Sequence, residues 1–170
     1  MRRLLLFRHA KATRSKPGAE DRPRGLIERG RRDSARMGTY MAAEGLVPDW
    51  VLISPSVRTQ ETWKFTVPAL KSTVEAVIAE QLYDATPDAI IDVIKRAPAM
   101  AHTLLVIAHN PGLQELALML IASGNAGARG RLKEKLPTAG LVIIDFAFDD
   151  WSKLQRQTGR LERFASPKSL

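Results

Sequence analysis

Apolar residues fall along the chain in short unbroken runs, separated by longer stretches where they recur at helical spacing. The first run, Leu4-Leu5-Leu6-Phe7, is bounded by charge on both sides. Such a run predicts a short strand buried on both faces. Lys11 to Gly25 is rich in Lys, Arg, Gly and Pro and reads as a long loop. A helix is expected over about Ile27 to Glu44, ended near Gly45. Val51-Leu52-Ile53 predicts a second strand. Ser54-Pro55 then turns the chain into a helix, with Ser54 or Ser56 as its cap and proline in the first turn. The β-branched run from Val74 to Ile78 predicts a third strand.

Thr86-Pro87-Asp88 marks another helix start: a capping hydroxyl, a first-turn proline and an acid near the positive end of the dipole. Ile90, Val93, Ile94 and Ala97 then share one helical face. Leu104-Leu105-Val106-Ile107-Ala108 predicts a strand, and Asn110-Pro111 is read as capping the next helix. On that helix Leu113, Leu116, Ala117, Leu120 and Ile121 repeat at helical spacing. Asn125 to Pro137, Gly-rich and basic, reads as a surface loop, and Leu141 to Phe146 as a last strong strand. Strands alternating with amphipathic helices imply a single-domain, three-layer α/β/α sandwich with a mostly parallel central sheet. Residues 1–165 are assigned to that domain and 166–170 to a C-terminal tail.

Composition narrows the function. The 170 residues suit one core, and no apolar run approaches the length of a membrane span. The first apolar run is too short for a signal-peptide core. No cysteine occurs, which excludes disulfides and thiolate chemistry. The chain is read as a cytoplasmic monomer without a membrane partner. Its formal charge is +8, from 26 Lys and Arg against 18 Asp and Glu. This excess favours anionic partners, or serves only solubility. The run Arg129, Arg131, Lys133, Lys135 lacks interleaved aromatics, so it reads as a solvated loop near the site and not as a nucleic-acid interface.

In open α/β sheets ligands bind beyond the carboxyl ends of the strands. His9 follows the first strand there, His109 follows the Leu104–Ala108 strand, and Arg58 lies just past Val51–Ile53 at a helix start. Arg8 adjoins His9. Two arginines and two histidines at one sheet edge form a site for a tetrahedral anion. Guanidinium groups present paired donors that match phosphate oxygens, and helix N-termini add free N–H groups. A neutral imidazole there is a nucleophile.

Arg8-His9-Ala10-Lys11 resembles the Arg-His signature of the histidine phosphatase superfamily, which is phosphoglycerate-mutase-like in fold. The segment Ser54 to Thr62 resembles its second-arginine motif, and His109-Asn110-Pro111-Gly112 its second-histidine motif. Asp21-Arg22-Pro23 followed by Glu28-Arg29-Gly30 is similar to the linking segment of the SixA-like phosphohistidine phosphatase branch. The short chain, without a large inserted subdomain, agrees with that branch. Ile27 departs from the pattern, because a capping hydroxyl commonly stands there.

The resemblance implies that His9 attacks phosphorus while Arg8, Arg58 and His109 hold the equatorial oxygens. Water then hydrolyses the phosphohistidine intermediate, and no metal or other cofactor is needed. It also implies a general acid on a loop. The candidates are Glu80 and Asp84, with Asp21 third; each reads equally as surface charge. Lys11, Arg22 and Asn110 are candidates for substrate binding. A phosphohistidine substrate has an imidazole leaving group and depends less on a strong acid than an alkyl phosphate does. The expected substrate is a phosphorylated protein. The alternatives are a small phosphate ester on the same scaffold, or a non-catalytic phosphate-binding module. A binding module would not require the histidine pair.

Overall fold

The run Leu4-Leu5-Leu6-Phe7 lies within β1 (Arg2–Arg8), the first element of the computed structural model, which describes all 170 residues. α1 (Glu28–Ala43), β2 (Trp50–Ile53), α2 (Val57–Leu70) and β3 (Ala76–Ile78) follow. Next come α3 (Pro87–Lys95), β4 (Thr103–Ala108), α4 (Gly112–Leu120) and β5 (Ile121–Gly124). α5 (Ala126–Glu134), β6 (Leu141–Phe146) and β7 (Gly159–Ala165) complete the order. The seven strands form one sheet in the order β3-β2-β4-β1-β6-β7-β5. β3, β2, β4 and β1 run parallel, β6 is antiparallel to both β1 and β7, and β5 is parallel to β7. The architecture is the mostly parallel α/β sandwich expected.

Strand alternation divides the core into two layers. Leu4 and Leu6 of β1, with Leu104 and Val106 of β4, pack against α3, α4 and α5. Leu5 and Phe7, with Leu105 and Ile107, pack on the opposite face against α1 and α2. Each such side chain, fully removed from water, contributes about 1.5–3 kcal/mol before the entropy of ordering it is charged against it. The uninterrupted apolar runs are therefore the mark of strands covered on both sides. Trp63 and Trp151 are buried within these layers, and no helix is long and apolar enough to cross a membrane.

Four local expectations are corrected. Within the expected 125–137 loop, residues 126–134 form a helix: the Asn125 side chain caps α5 by accepting from Ala128 N at 2.8 Å, and Ala128 and Leu132 enter the core one turn apart. Only two apolar residues on a Gly- and Arg-rich background leave little periodicity to read. The helix after Pro111 ends at Leu120, because Ile121 is drawn into pairing with β7. β7 itself carries three charged residues among seven, yet Gly159, Leu161 and Ala165 are buried along it. Asn110 does not cap α4; its amide donates to Leu136 O at 2.9 Å, and α4 begins without a side-chain cap. Of the two serine caps considered for α2, Ser56 fills the role by accepting from Thr59 N. Ile27 starts α1 with no capping hydrogen bond. After β7, Ser166 and Ser169 close a short 3-10 turn that buries Pro167.

Two glycines let loops approach the site. A Cβ on Gly30 would collide with Lys11 O, and one on Gly112 with Ala85 O. The first contact seats the segment after His9 on α1. The second holds the segment carrying Tyr83 and Asp84 against the start of α4, beside His109.

Candidate active site

β1 and β4 are neighbours in parallel register, with Arg8 opposite Ala108, so His9 and His109 leave adjacent strands at the same level. Their ring centroids are 5.4 Å apart. Arg58 enters from the first turn of α2, on the far side of β4, and brings Nη2 to 3.3 Å from His109 Nδ1. Arg8, the last residue of β1, donates from Nη1 to Leu136 O at 3.1 Å. Leu136 O thus anchors both Arg8 and Asn110. His9, Arg58 and His109 are buried, yet all line one open pocket of about 550 Å³ together with Arg8, Lys11, Asp21 and Asn110.

Hydrogen bonds fix the state of each imidazole. His9 Nδ1 lies 2.8 Å from Ala10 O, which can only accept, so Nδ1 carries the proton. The lone pair of neutral His9 is therefore on Nε2. Arg58 can only donate, so His109 Nδ1 accepts from it and His109 Nε2–H donates to Ser54 Oγ at 2.7 Å. Thr62 ties the frame together: its hydroxyl accepts from Ala10 N at 3.0 Å and donates to Arg58 O at 2.7 Å. Arg8 Nε and Arg58 Nε are buried without a partner in the protein. Arg8, Arg14, Arg24, Arg58 and Lys11 line the pocket against only Asp21 and Asp84, so its charge suits an anion.

No family model matches the chain. An uncharacterized protein of Mycobacterium tuberculosis is 32% identical over 164 residues, covering 95% of this chain and 100% of the relative. A solved structure from Agrobacterium tumefaciens, provisionally assigned as the phosphohistidine phosphatase SixA, is 26% identical and covers 98% of each chain, with a TM-score of 0.79. The chain belongs to the histidine phosphatase superfamily. A second structure with the same provisional assignment, from Nakamurella multipartitia, shares the fold at 23% identity and a TM-score of 0.84, covering 98% of this chain and 96% of its own.

In this histidine phosphatase scaffold the remaining candidate residues separate into pocket and rim. Asp21 reaches the centre: its Oδ2 accepts from Arg58 Nη2 at 2.9 Å and from the Tyr83 hydroxyl, and its Oδ1 accepts from Arg24 Nε. Lys11 and Asp84 line the mouth, both exposed. Glu80 and Arg22 stand outside the pocket wall. They pair with each other at 2.6 Å, while the Arg22 guanidinium covers the Tyr83 ring at 4.4 Å. Glu80 sits one turn before Tyr83 in a 3-10 turn, which carries its carboxylate outward to that cation.

Burial and positive neighbours tune the titrating groups. Burial, then the charges of His109, Arg8 and Arg58, hold His9 down to about 3. Burial and Arg58 hold His109 down to about 4. Both rings are neutral at pH 7. The Tyr83 hydroxyl, Arg58 and Arg24 hold the Asp21 carboxyl well below the usual carboxylate range, so it is ionised there. Burial and Arg58 lower the Arg8 guanidinium from its usual value.

Several contributors carry no distinctive sequence signal. Ser54 was legible as a possible cap and as the first residue of the second-arginine motif, with nothing to mark its bond to His109, Tyr83 stood in no motif, and Leu136 acts through its carbonyl alone. Asp21 was visible within the Asp21-Arg22-Pro23 resemblance, but its grip on Arg58 depends on how the loop folds back.

Proposed function

We propose that the chain is a phosphatase that carries the phosphoryl group on His9 and takes it from phosphohistidine in a protein. One observation carries this reading: the Nδ1–H bond to Ala10 O leaves the His9 lone pair on Nε2, in a pocket lined by the buried Arg58 and the half-buried Arg8. In the first step Nε2 bonds to phosphorus while the substrate P–N bond breaks. The departing imidazole leaves as a neutral base, its other ring nitrogen having taken a proton from water, and the hydroxide left behind is neutralised by the proton released in the second step. Nδ1 keeps its proton throughout. In the second step water attacks phosphorus, the His9–P bond breaks, and inorganic phosphate leaves with the water's proton transferred to a basic group or solvent.

Arg8, Arg58 and His109 stabilise the three equatorial oxygens, which carry the charge of the loose transition state. These fixed groups supply the positive charge, so the reading requires no metal. His109 Nδ1 cannot donate while neutral in its present tautomer. A bound phosphoryl dianion favours the imidazolium, whose Nδ1–H then donates to an oxygen. Asp21, ionised and engaged by three donors, is not a general acid at neutral pH. Asp84, which lines the mouth, is the candidate that in its protonated form would serve a more basic leaving group. Lys11 and Asn110 border the phosphoryl position as substrate contacts.

The test is a panel of phosphohistidine protein, phosphoserine peptide and sugar phosphates at equal concentration, with rapid acid and alkaline quenching of a radiolabelled reaction. The expected result is preferred turnover of phosphohistidine and acid-labile, base-stable label on His9. The His9→Ala variant should keep its fold and lose turnover; full activity in it would end the covalent mechanism.

A further inference from the structure

A second cavity, about 650 Å³, opens beside the phosphoryl pocket and shares Arg8, Lys11 and Thr138 with it. Its other cationic lining comes from Arg29 of α1, Arg131 and Lys135 at the end of α5, and Lys168. Only Asp33 and Glu134 oppose them, and Asp33 is already paired with Arg29 at 3.6 Å. Arg131 projects from the last turn of α5 and Lys135 from the extended residue just after it, and both line the same cavity. Neither they nor Lys168 forms an ion pair within the protein. Like charges gathered in a shared concavity repel one another and raise the local potential for an anion. The phosphoryl site does not account for this second group, which lies on the other side of Arg8.

We infer that this cavity receives carboxylates of the polypeptide segment that carries the phosphorylated residue, so that the enzyme selects phosphoproteins with acidic residues beside the phosphorylation site. The inference rests on the protein-substrate reading above. An open trough continuous with the phosphoryl pocket suits an extended chain lying across both. Long, exposed lysine and arginine side chains suit carboxylates whose spacing varies. Arg8 and Thr138, shared by the two walls, place the first carboxylate next to the phosphorylated side chain.

The test compares two phosphohistidine peptides that differ only in Glu or Gln at the flanking positions, together with the same pair bearing phosphoserine. p-Nitrophenyl phosphate serves as a substrate with no second anionic group. The parent enzyme should prefer the Glu peptide through KM, by about tenfold at low salt, since several exposed pairs add and are screened. The triple variant R131A/K135A/K168A should lose that preference and keep p-nitrophenyl phosphate turnover near the parent value. All three changes lie on the surface, and a matching thermal unfolding midpoint checks the fold. A charge preference in the phosphoserine pair alone would retain the cavity assignment while removing phosphohistidine as the substrate. Equal KM for the Glu and Gln peptides in both pairs would overturn the inference. So would a triple variant that discriminates as the parent does.

Discussion

The Asp21 carboxylate accepts from the Arg58 guanidinium at 2.9 Å, and Asp21 O accepts from the same guanidinium at 3.1 Å. One residue of the long basic loop therefore holds the buried arginine twice, once with a charge and once without. In the proposed mechanism a phosphoryl oxygen competes with this carboxylate for the same donor. Asp21→Asn keeps the carbonyl contact and removes the competing charge. Inorganic phosphate and orthovanadate should inhibit that variant more tightly than the parent, by about fivefold. Inhibition constants at pH 7 decide the matter. An unchanged or weaker constant would mean that the carboxylate's ordering of Arg58 outweighs its repulsion.

Ser54 is a positioning residue, acting through His109. It is fully buried, and Ser54→Ala leaves the His109 Nε2–H without an acceptor. An unpartnered buried donor costs about 1–3 kcal/mol, which the ring can escape by moving its proton to Nδ1 or by turning. The kcat should fall about tenfold, with a smaller change in the unfolding midpoint. Nitrogen chemical shifts of the imidazole should report a loss of the Nε2–H tautomer, a signal that mere loosening of the fold would not give.

The two acidic candidates should now behave differently. Asp84 borders the pocket, whereas Glu80 is engaged by Arg22 outside it. Asp84→Asn should slow hydrolysis of an alkyl phosphate about a hundredfold, because an alkoxide must be protonated as it departs. The loss on phosphohistidine and on p-nitrophenyl phosphate should be mild. Glu80→Gln should be mild on all three. Equal, large losses on every substrate for either variant would remove the leaving-group reason for favouring phosphohistidine.

Stability should decline on the acid side of neutrality because of the same two rings that form the site. His9 and His109 are held to about 3 and about 4 in the folded chain, against about 6.5 when unfolded. Between about pH 6.5 and pH 4 the unfolded chain binds protons that the folded chain refuses, so stability falls as pH falls through that window. Each ring should contribute about 1–2 kcal/mol of this loss by pH 5. Urea midpoints measured from pH 7.5 to pH 4.5 should show it. The slope should be shallower in His9→Gln and in His109→Gln, and a flat parent profile would contradict the depressed values.

The legibility of this chain followed how its signals are stored. The strands of the central sheet announce themselves because burial on both faces demands uninterrupted apolar runs, as in Leu4–Phe7 and Leu104–Ala108. The four core site residues could be placed because the ends of those runs define one edge of the sheet. β7 stayed hidden because it keeps Arg160, Glu162 and Arg163 on a strand whose buried positions include a glycine and an alanine. α5 stayed hidden because its anchor is two residues, Ala128 and Leu132. The division of labour among Asp21, Asp84 and Glu80 was not readable at all. It depends on where the 11–25 loop folds back onto Arg58 and Tyr83, a long-range contact that leaves no local pattern.

The pairing of β1 with β4 also acts as a ruler. Neighbouring strands are held about 4.8 Å apart by their backbone hydrogen bonds. Two histidines that leave such strands at matched positions inherit a separation the loops do not set. Insertions in the 11–25 loop, around Tyr83 or near α5 can therefore reshape what the mouth admits without moving the two rings relative to each other. A one-residue slip between β1 and β4 would do the opposite. It would turn every core side chain of the shifted strand to the wrong layer, so the rings could be misaligned only by breaking the core itself. The reacting distance in this enzyme is inherited from the most cooperative part of its architecture, while its selectivity is left to the parts that can change most freely.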